Sequence, residues 1–420
     1  MTTFNEFGLA KPLLTALAQE DHQTPTPIQT AAIPALLMGH DLLGIAQTGS
    51  GKTAAFTLPL LHHLIEKPGK AKAFHPRALI LAPTRELAGQ VRDRIYAYGS
   101  GARMRAGLVI GGVPINKQKN LLRRGVDILI ATPGRLEDLM KQDAISLNAI
   151  EFFVLDEVDQ MLDMGFIHAI RAITAKLPKS RQSLFFSATM PREIERLANG
   201  LLRDPVRVEM KRQAPPKIDQ SVMFITKPEK ISALMNIARG EAFTSGLVFS
   251  RTKHGADKIV KNLNGAGLSA QAIHGNRSQG QRERALKAFK SGDTRILVAT
   301  DIAARGIDIQ GVSHVINFDL PNVPETYVHR IGRTARAGAA GTAISFCAPE
   351  EHAELRAIER LIGTRFGGSK NEDIASRTTR KGPRRPHRKG KGTRRVKTNI
   401  AIRSEADKTI DNLSFMRPAT

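Results

Sequence analysis

The chain has no Trp, three Tyr, one Cys, and fewer acidic than basic residues, 39 against 63. Because Cys347 stands alone, neither an intramolecular disulfide nor a cysteine zinc cluster can form, and a reducing, cytoplasmic setting is expected. Aromatic residues make up only 5%, yet 41% of the chain is hydrophobic and 24% charged, the composition of a folded soluble protein. No eighteen apolar residues run together, and residues 1–14 lack a basic segment followed by a long apolar stretch. A membrane span and a secretory leader are therefore not expected. The shortage of acid leaves a formal net charge of +24, which favours a polyanionic partner, nucleic acid ahead of an anionic membrane.

What is present is a repeated α/β rhythm. The 420 residues suit two domains, each large enough for its own core. Short β-rich apolar runs at 78–81, 127–130 and 152–155 are separated by amphipathic stretches of helix length, and the pattern returns at 246–249, 294–298 and 314–318. These predict buried parallel strands in two α/β units, each a mostly parallel sheet flanked by helices, over residues 1–210 and 220–366. Residues 211–217 are polar with paired prolines, so a linker is expected over 211–219. From 367 onward a basic, largely disordered tail is expected. Residues 380–397 carry ten Lys and Arg and no acid, too polar to pack a core. Such a run is either a solvated, self-repelling arm or a phosphate-binding tether, and beside a nucleotide site the tether is the stronger reading.

The octet Ala46, Gln47, Thr48, Gly49, Ser50, Gly51, Lys52 and Thr53 follows the apolar run 42–45 and opens a helical stretch. This is a P-loop in its strand–loop–helix setting. Its glycines let backbone N–H groups turn toward phosphates at a helix N-terminus, Lys52 brings a point charge to the β- and γ-phosphates, and the Thr53 hydroxyl suits Mg²⁺. Asp156, Glu157, Val158 and Asp159 come directly after the run 152–155, so their carboxylates should emerge at the C-terminal end of a buried strand. Alone they could be an exposed turn. After a P-loop, Asp156 suits the Mg²⁺ shell and Glu157 the attacking water, which makes hydrolysis of a nucleoside triphosphate the expected reaction. In the second unit Arg333 and Arg336 lie three residues apart, on neighbouring positions of one helical face. They read either as an ordinary basic face or as arginine fingers that neutralise charge on the γ-phosphoryl group when the domains close.

Together these residues resemble the DEAD-box RNA helicases over roughly residues 4–350, and the resemblance implies two RecA-like domains, ATP with Mg²⁺, and RNA. Residues 25–29 look like the family's Q motif, so Gln29 is expected to read adenine and Phe4 to stack on it. Pro83, Thr84, Arg85, Gly112, Thr132, Pro133, Gly134 and Arg135 match RNA-facing motifs of the first domain. Gln279, Arg282 and Thr300 match those of the second, while Gly306 and Asp308 would approach the nucleotide. Ser187 and Thr189 are expected to bond to Asp159 and, with His329, to couple hydrolysis to strand separation. The likeness further implies local unwinding of short duplexes or remodelling of RNA–protein complexes, a monomer, and service to ribosomal precursors or RNA decay.

Three positions depart from the family pattern: Val158 stands where the tetrad usually has Ala, Ala335 replaces a common Gly, and Asp21-His22 replaces a Gly–aromatic pair. Rival readings are an ATP-gated RNA clamp or annealing factor, a non-enzymatic RNA chaperone acting through the tail, and a DNA translocase. The intact set Lys52, Asp156, Glu157, Arg333 and Arg336 argues against the chaperone.

Overall fold

The computed structural model describes residues 2–47, 49–69, 72–210, 218–304, 307, 309, 311–335 and 341–366. Residues 211–217 of the expected linker, the basic tail, and the site candidates Thr48, Gly306, Asp308 and Arg336 lie outside the described residues.

Two parallel sheets carry the molecule. The first contains β1 (Leu42–Ile45), β2 (Ala78–Leu81), β3 (Ala106–Val109), β4 (Ile128–Ala131), β5 (Phe152–Leu155), β6 (Gln182–Ser187) and β7 (Val206–Glu209), in the order β3-β4-β2-β5-β6-β1-β7. The second contains β8 (Ile218–Phe224), β9 (Gly246–Phe249), β10 (Ala270–Ile273), β11 (Ile296–Ala299), β12 (His314–Asn317) and β13 (Gly341–Cys347), in the order β10-β11-β9-β12-β13-β8. Every pairing is parallel. Ile218 and Asp219, expected in the linker, already pair with Gly341 and Thr342, so the second sheet begins two residues earlier than the composition suggested.

The apolar runs are continuous because helices cover both faces of each sheet, so both sets of alternating side chains need a core. Ile80, Ile130 and Val154 enter one core of the first sheet, and their neighbours Leu79, Leu129 and Phe153 enter the other. In the second sheet Val248, Ile296 and Ile316 divide in the same way from Leu247, Leu297 and Val315. Among the described residues no helix is long and apolar enough to cross a membrane.

This strand order places the site. Parallel strands deliver all their C-terminal loops to one edge, and the ligands of such sheets bind there. Along that edge of the first sheet, the loops after β3, β4 and β2 carry Gly112, Thr132 and Thr84. The loop after β5 carries the acidic tetrad, and those after β6 and β1 carry Ser187-Ala188-Thr189 and the P-loop. One sheet edge is thus divided into two neighbouring halves.

Candidate nucleotide and RNA site

The P-loop leads from β1 into the helix Lys52–Glu66 through Gly51, which caps the helix at φ 94°. A Cβ at Gly51 would stand 2.6 Å from Gln29 Nε2 and 2.7 Å from Thr26 Oγ1, so glycine is required by conformation and by space. Gln29 bridges the two segments: its Oε1 accepts from Thr26 N at 2.9 Å, and its Nε2 donates to the Gly51 carbonyl at 3.1 Å. The second hydrogen of that amide leaves it able to meet a base edge.

The loop opens on a cavity of about 380 Å³. Of the expected nucleotide residues, Phe4, Gln29, Gly49, Gly51, Lys52, Thr53, Asp156 and Glu157 line it. Ala46, Gln47 and Ser50 do not; they shape the loop, with Ala46 N donating to the Ser187 carbonyl at 3.0 Å and Ser50 Oγ to the Gln47 carbonyl at 2.8 Å. Ile307 and Arg333 join the lining from the second sheet's part of the chain, and Arg333 Nη1 donates to the Ile307 carbonyl at 2.6 Å. The structure therefore brings Arg333 to the same cavity as Lys52 and the tetrad.

The polar groups here are arranged for a ligand. Lys52 is buried, and among the described residues its Nζ has no hydrogen-bond partner; nor has Asp156 Oδ1. Burying an ammonium and one oxygen of a carboxylate with no hydrogen bond is costly unless something else completes their shells. Burial pushes the Asp156 carboxyl up to about 7, with the nearby Lys52 charge pulling it down and Glu157 pushing it further up. A cation beside Asp156 and anionic oxygens beside Lys52 would relieve both groups, so these residues fit a Mg²⁺–triphosphate. Val158 points the other way, fully buried in the core behind the tetrad, where its added methyl groups are accommodated.

Asp159 joins the tetrad to β6. Its Oδ2 accepts from Ala188 N and Thr189 N, both at 3.1 Å, and from Thr189 Oγ1 at 3.3 Å. Ser187 enters indirectly, its Oγ donating to the Thr189 carbonyl at 2.7 Å. His329 departs from the expectation: it is exposed and has no hydrogen bond to Asp159, Ser187 or Thr189. Its place on the helix Pro324–Ile331 directs it to solvent, whereas the following Arg330 is buried.

The other half of the edge carries the expected RNA-facing residues of the first domain. Thr84 caps the helix Arg85–Tyr98, accepting from Leu87 N at 3.3 Å, and Thr132 begins the helix Pro133–Lys141, in which Pro133 and Gly134 form the first turn. Pro83 is buried beneath them. Gly112 has φ 77°, and a Cβ there would strike the Arg85 guanidinium, which lies across Gly111 and Gly112. Burial lowers the pKa of Arg85. Arg135 Nη1 donates to the Val113 carbonyl at 2.7 Å and Gln118 Nε2 to the Ile110 carbonyl at 2.9 Å, which fixes the same loop from both ends. In the second domain Thr300 follows β11, its N donating to the Ile273 carbonyl at 3.3 Å.

Gln279 and Arg282 also depart from expectation. Both are buried, and Arg282 Nε pairs with Glu86 Oε1 at 2.7 Å while its Nη2 donates to the Ala303 carbonyl at 3.3 Å. A phosphate could reach this guanidinium only by displacing a buried carboxylate, so Arg282 acts as a tie between the chain segments of the two sheets. Gln279 donates to Glu283. Sequence reasoning missed Glu86, and it missed Leu87, Gln90, Arg94 and Tyr98, which line the cavity from one face of the helix Arg85–Tyr98. Their spacing of three and four residues was the available signal.

Two parallel sheets, a P-loop with an acidic tetrad on one, and an arginine brought to the same cavity from the other define a two-domain P-loop nucleoside triphosphatase. Comparison with known proteins narrows this. The family model for DEAD/DEAH box helicases matches residues 26–197, and that for the helicase conserved C-terminal domain matches residues 227–338. The chain is 42% identical over 362 residues to the DEAD-box ATP-dependent RNA helicase CshA of Geobacillus kaustophilus, covering 86% of this chain and 76% of that protein. It is 41% identical to CshA of Bacillus subtilis, covering 85% and 72%. Among solved structures, S. cerevisiae Dbp5 bound to RNA and ADP BeF3 superposes with a TM-score of 0.75 at 30% identity, covering 90% of this chain and 98% of that one. The chain belongs to the DEAD-box RNA helicase family, and its two sheets are the tandem RecA-like domains of that family.

Proposed function

We propose that this protein is an ATP-dependent RNA helicase that grips one RNA strand when ATP brings Arg333 against the γ-phosphate, opens short duplexes or remodels RNA–protein complexes locally, and lets go on hydrolysis. The observation that carries this reading is the division of a single sheet edge. The tetrad loop stands directly beside the loop bearing Thr84 and Arg85, with those of Thr132 and Gly112 beyond it, and on its other side Asp159 bonds the Ala188-Thr189 turn that lies between the tetrad and the P-loop.

In the chemical step the water oxygen bonds to the γ-phosphorus, the bond to the β–γ bridging oxygen breaks, and the water's proton passes to the Glu157 carboxylate. Lys52 and Arg333 neutralise charge on the phosphoryl oxygens, and Phe4 and Gln29 hold the adenine. Mg²⁺ would be held by the Thr53 hydroxyl and the Asp156 carboxylate, and it supplies further charge neutralisation when bound. On the RNA side, contacts from Thr84, Arg85, Thr132, Arg135 and Thr300 fall on sugar and phosphate, which fits binding that ignores base sequence and uses the 2′-hydroxyl to tell RNA from DNA. The basic tail would add affinity without selecting a target. Action as a monomer, in the cytoplasm, on ribosomal precursors or decaying RNA completes the reading; the lone cysteine and the net charge of +24 support it.

The test is steady-state ATP hydrolysis without nucleic acid, with single-stranded RNA and with DNA of the same sequence, using Glu157→Gln as control, followed by displacement of a short RNA duplex. Stimulation by RNA alone, lost in the variant, is the expected result. Equal rates in all three conditions would overturn RNA gating, and RNA-stimulated hydrolysis without strand displacement would replace the helicase with an ATP-gated clamp.

A further inference from the structure

Glu157 precedes the helix Val158–Asp163 with φ 53° and ψ 53°, a left-handed conformation that is costly for a residue with a Cβ. Ser, Thr, Asp or Asn at this position would turn its short side chain back to cap the helix. Glu157 does not; its Oε2 accepts from Gln160 Nε2 at 2.6 Å. Gln160 lines the nucleotide cavity, and its Oε1 is buried without a hydrogen-bond partner among the described residues. Flipping the amide would press that oxygen against a carboxylate oxygen, so the Glu157 contact fixes its orientation. Gln118 and Gln279 also donate through Nε2 with a buried Oε1 left unmet among the described residues, so what sets Gln160 apart is the group that takes its donor. This one commits its donor to the carboxylate at the cavity and leaves its acceptor unmet.

We propose that Gln160 is a positioning residue: its amide N–H aims the Glu157 carboxylate at the attacking water and holds it there against the strain of the left-handed backbone. The same residue reaches the coupling turn, since Gln160 N donates to Asp159 Oδ1 at 3.1 Å while Asp159 Oδ2 holds the Ala188-Thr189 amides. Hydrogen bonds therefore lead from Thr189 through Asp159 to the Gln160 backbone, and the Gln160 side chain carries the connection on to Glu157. Movement of that turn on RNA binding reaches the proton acceptor through Gln160. The inference rests on the reading of Glu157 as the group that takes the water's proton.

The experiment compares Gln160→Met and Gln160→Leu, each alone, with Glu157→Gln and the Glu157→Gln/Gln160→Met double variant, in the full chain at saturating RNA. Gln160→Met keeps the side-chain length but removes the donor, and it should lower kcat about tenfold to a hundredfold, the range for a misaimed catalytic group. KM for ATP and affinity for a non-hydrolysable ATP analogue should stay within about twofold. Gln160→Leu, which likewise removes the donor without adding charge, should lose as much and decides the matter if the Met variant does not fold. In the Glu157→Gln background Gln160→Met should change the residual single-turnover rate by less than about twofold, because a residue acting through Glu157 has nothing left to aim. A full Gln160→Met loss on top of Glu157→Gln would make Gln160 an ordinary structural residue and overturn the proposal. Normal kcat in both Gln160 variants, with Glu157→Gln impaired, would overturn the proposal alone. A wild-type rate in Glu157→Gln would remove the role of Glu157 itself, and the proposal with it.

Discussion

In the first sheet Lys52 and Asp156 are buried beside the cavity, and Lys52 Nζ and Asp156 Oδ1 have no hydrogen-bond partner among the described residues. In the second, Lys230 and Arg330 are buried as deeply and are saturated. Lys230 Nζ bonds Glu351 at 2.6 Å and the Phe318 carbonyl at 2.7 Å. Arg330 forms a fork with Asp301 at 2.6 and 2.8 Å, bonds Asn317 and the Asp319 carbonyl, and lies 4.8 Å over the Phe249 ring. Equal burial thus serves opposite ends. Unmet charge in the first domain is stability withheld until a ligand supplies the missing partners. Met charge in the second is scaffold, which ties the β11 and β12 loops to the helix Pro324–Ile331 and so steadies the segment that delivers Arg333.

The comparison predicts that two arginines three residues apart fail in different ways when lost. Arg333→Ala should lower RNA-stimulated ATP hydrolysis by about 10³ to 10⁵, the usual worth of an arginine finger, while the denaturation midpoint stays near that of the wild type. Arg330→Met should show the reverse emphasis. Removing one side of a buried, forked ion pair costs about 3–5 kcal/mol, read as a lowered denaturant midpoint for the second domain. ATP-analogue binding by the first domain should persist. If Arg330→Met left stability intact and abolished hydrolysis, the division between scaffold and chemistry in the second sheet would be wrong.

How far the sequence carries this contrast depends on distance along the chain. The strands at 78–81, 152–155 and 246–249 were legible because a continuous apolar run admits few other fates. The P-loop and tetrad were legible because each is contiguous and follows its strand directly. The saturated charges were not: Arg330 meets Asp301 and Asn317, and Arg282 meets Glu86, across 196 residues in the last case. Residues 279 and 282 read as RNA contacts from a motif alone, and only the packing of the helix Gln279–Lys290 shows that they face inward. Gln160 was invisible for another reason. It follows the tetrad as any polar helical residue would, and its role depends on the left-handed turn at Glu157, which no propensity announces.

The smallest expected effect tests what the unmet charge in the first sheet costs. Burial raises the Asp156 carboxyl from 3.8 to about 7 in the folded, ligand-free protein. Between those values the folded state holds a proton that the unfolded chain has released. The stability contributed is therefore complete below the lower value and is lost as pH rises through the upper one. The slope is at most about 1.4 kcal/mol per pH unit for the one proton, and the attraction of Lys52 for the ionised form narrows the pH window over which it acts. Asp156→Asn removes the titration. Urea midpoints measured without nucleotide should accordingly show the Asn variant gaining on the wild type from pH 5 to pH 8, with no further gain above. A constant difference across that range would mean that Lys52 keeps Asp156 ionised throughout. The first sheet would then hold a paired charge after all, differing from Arg330 and Asp301 only in the length of the gap that a nucleotide must fill.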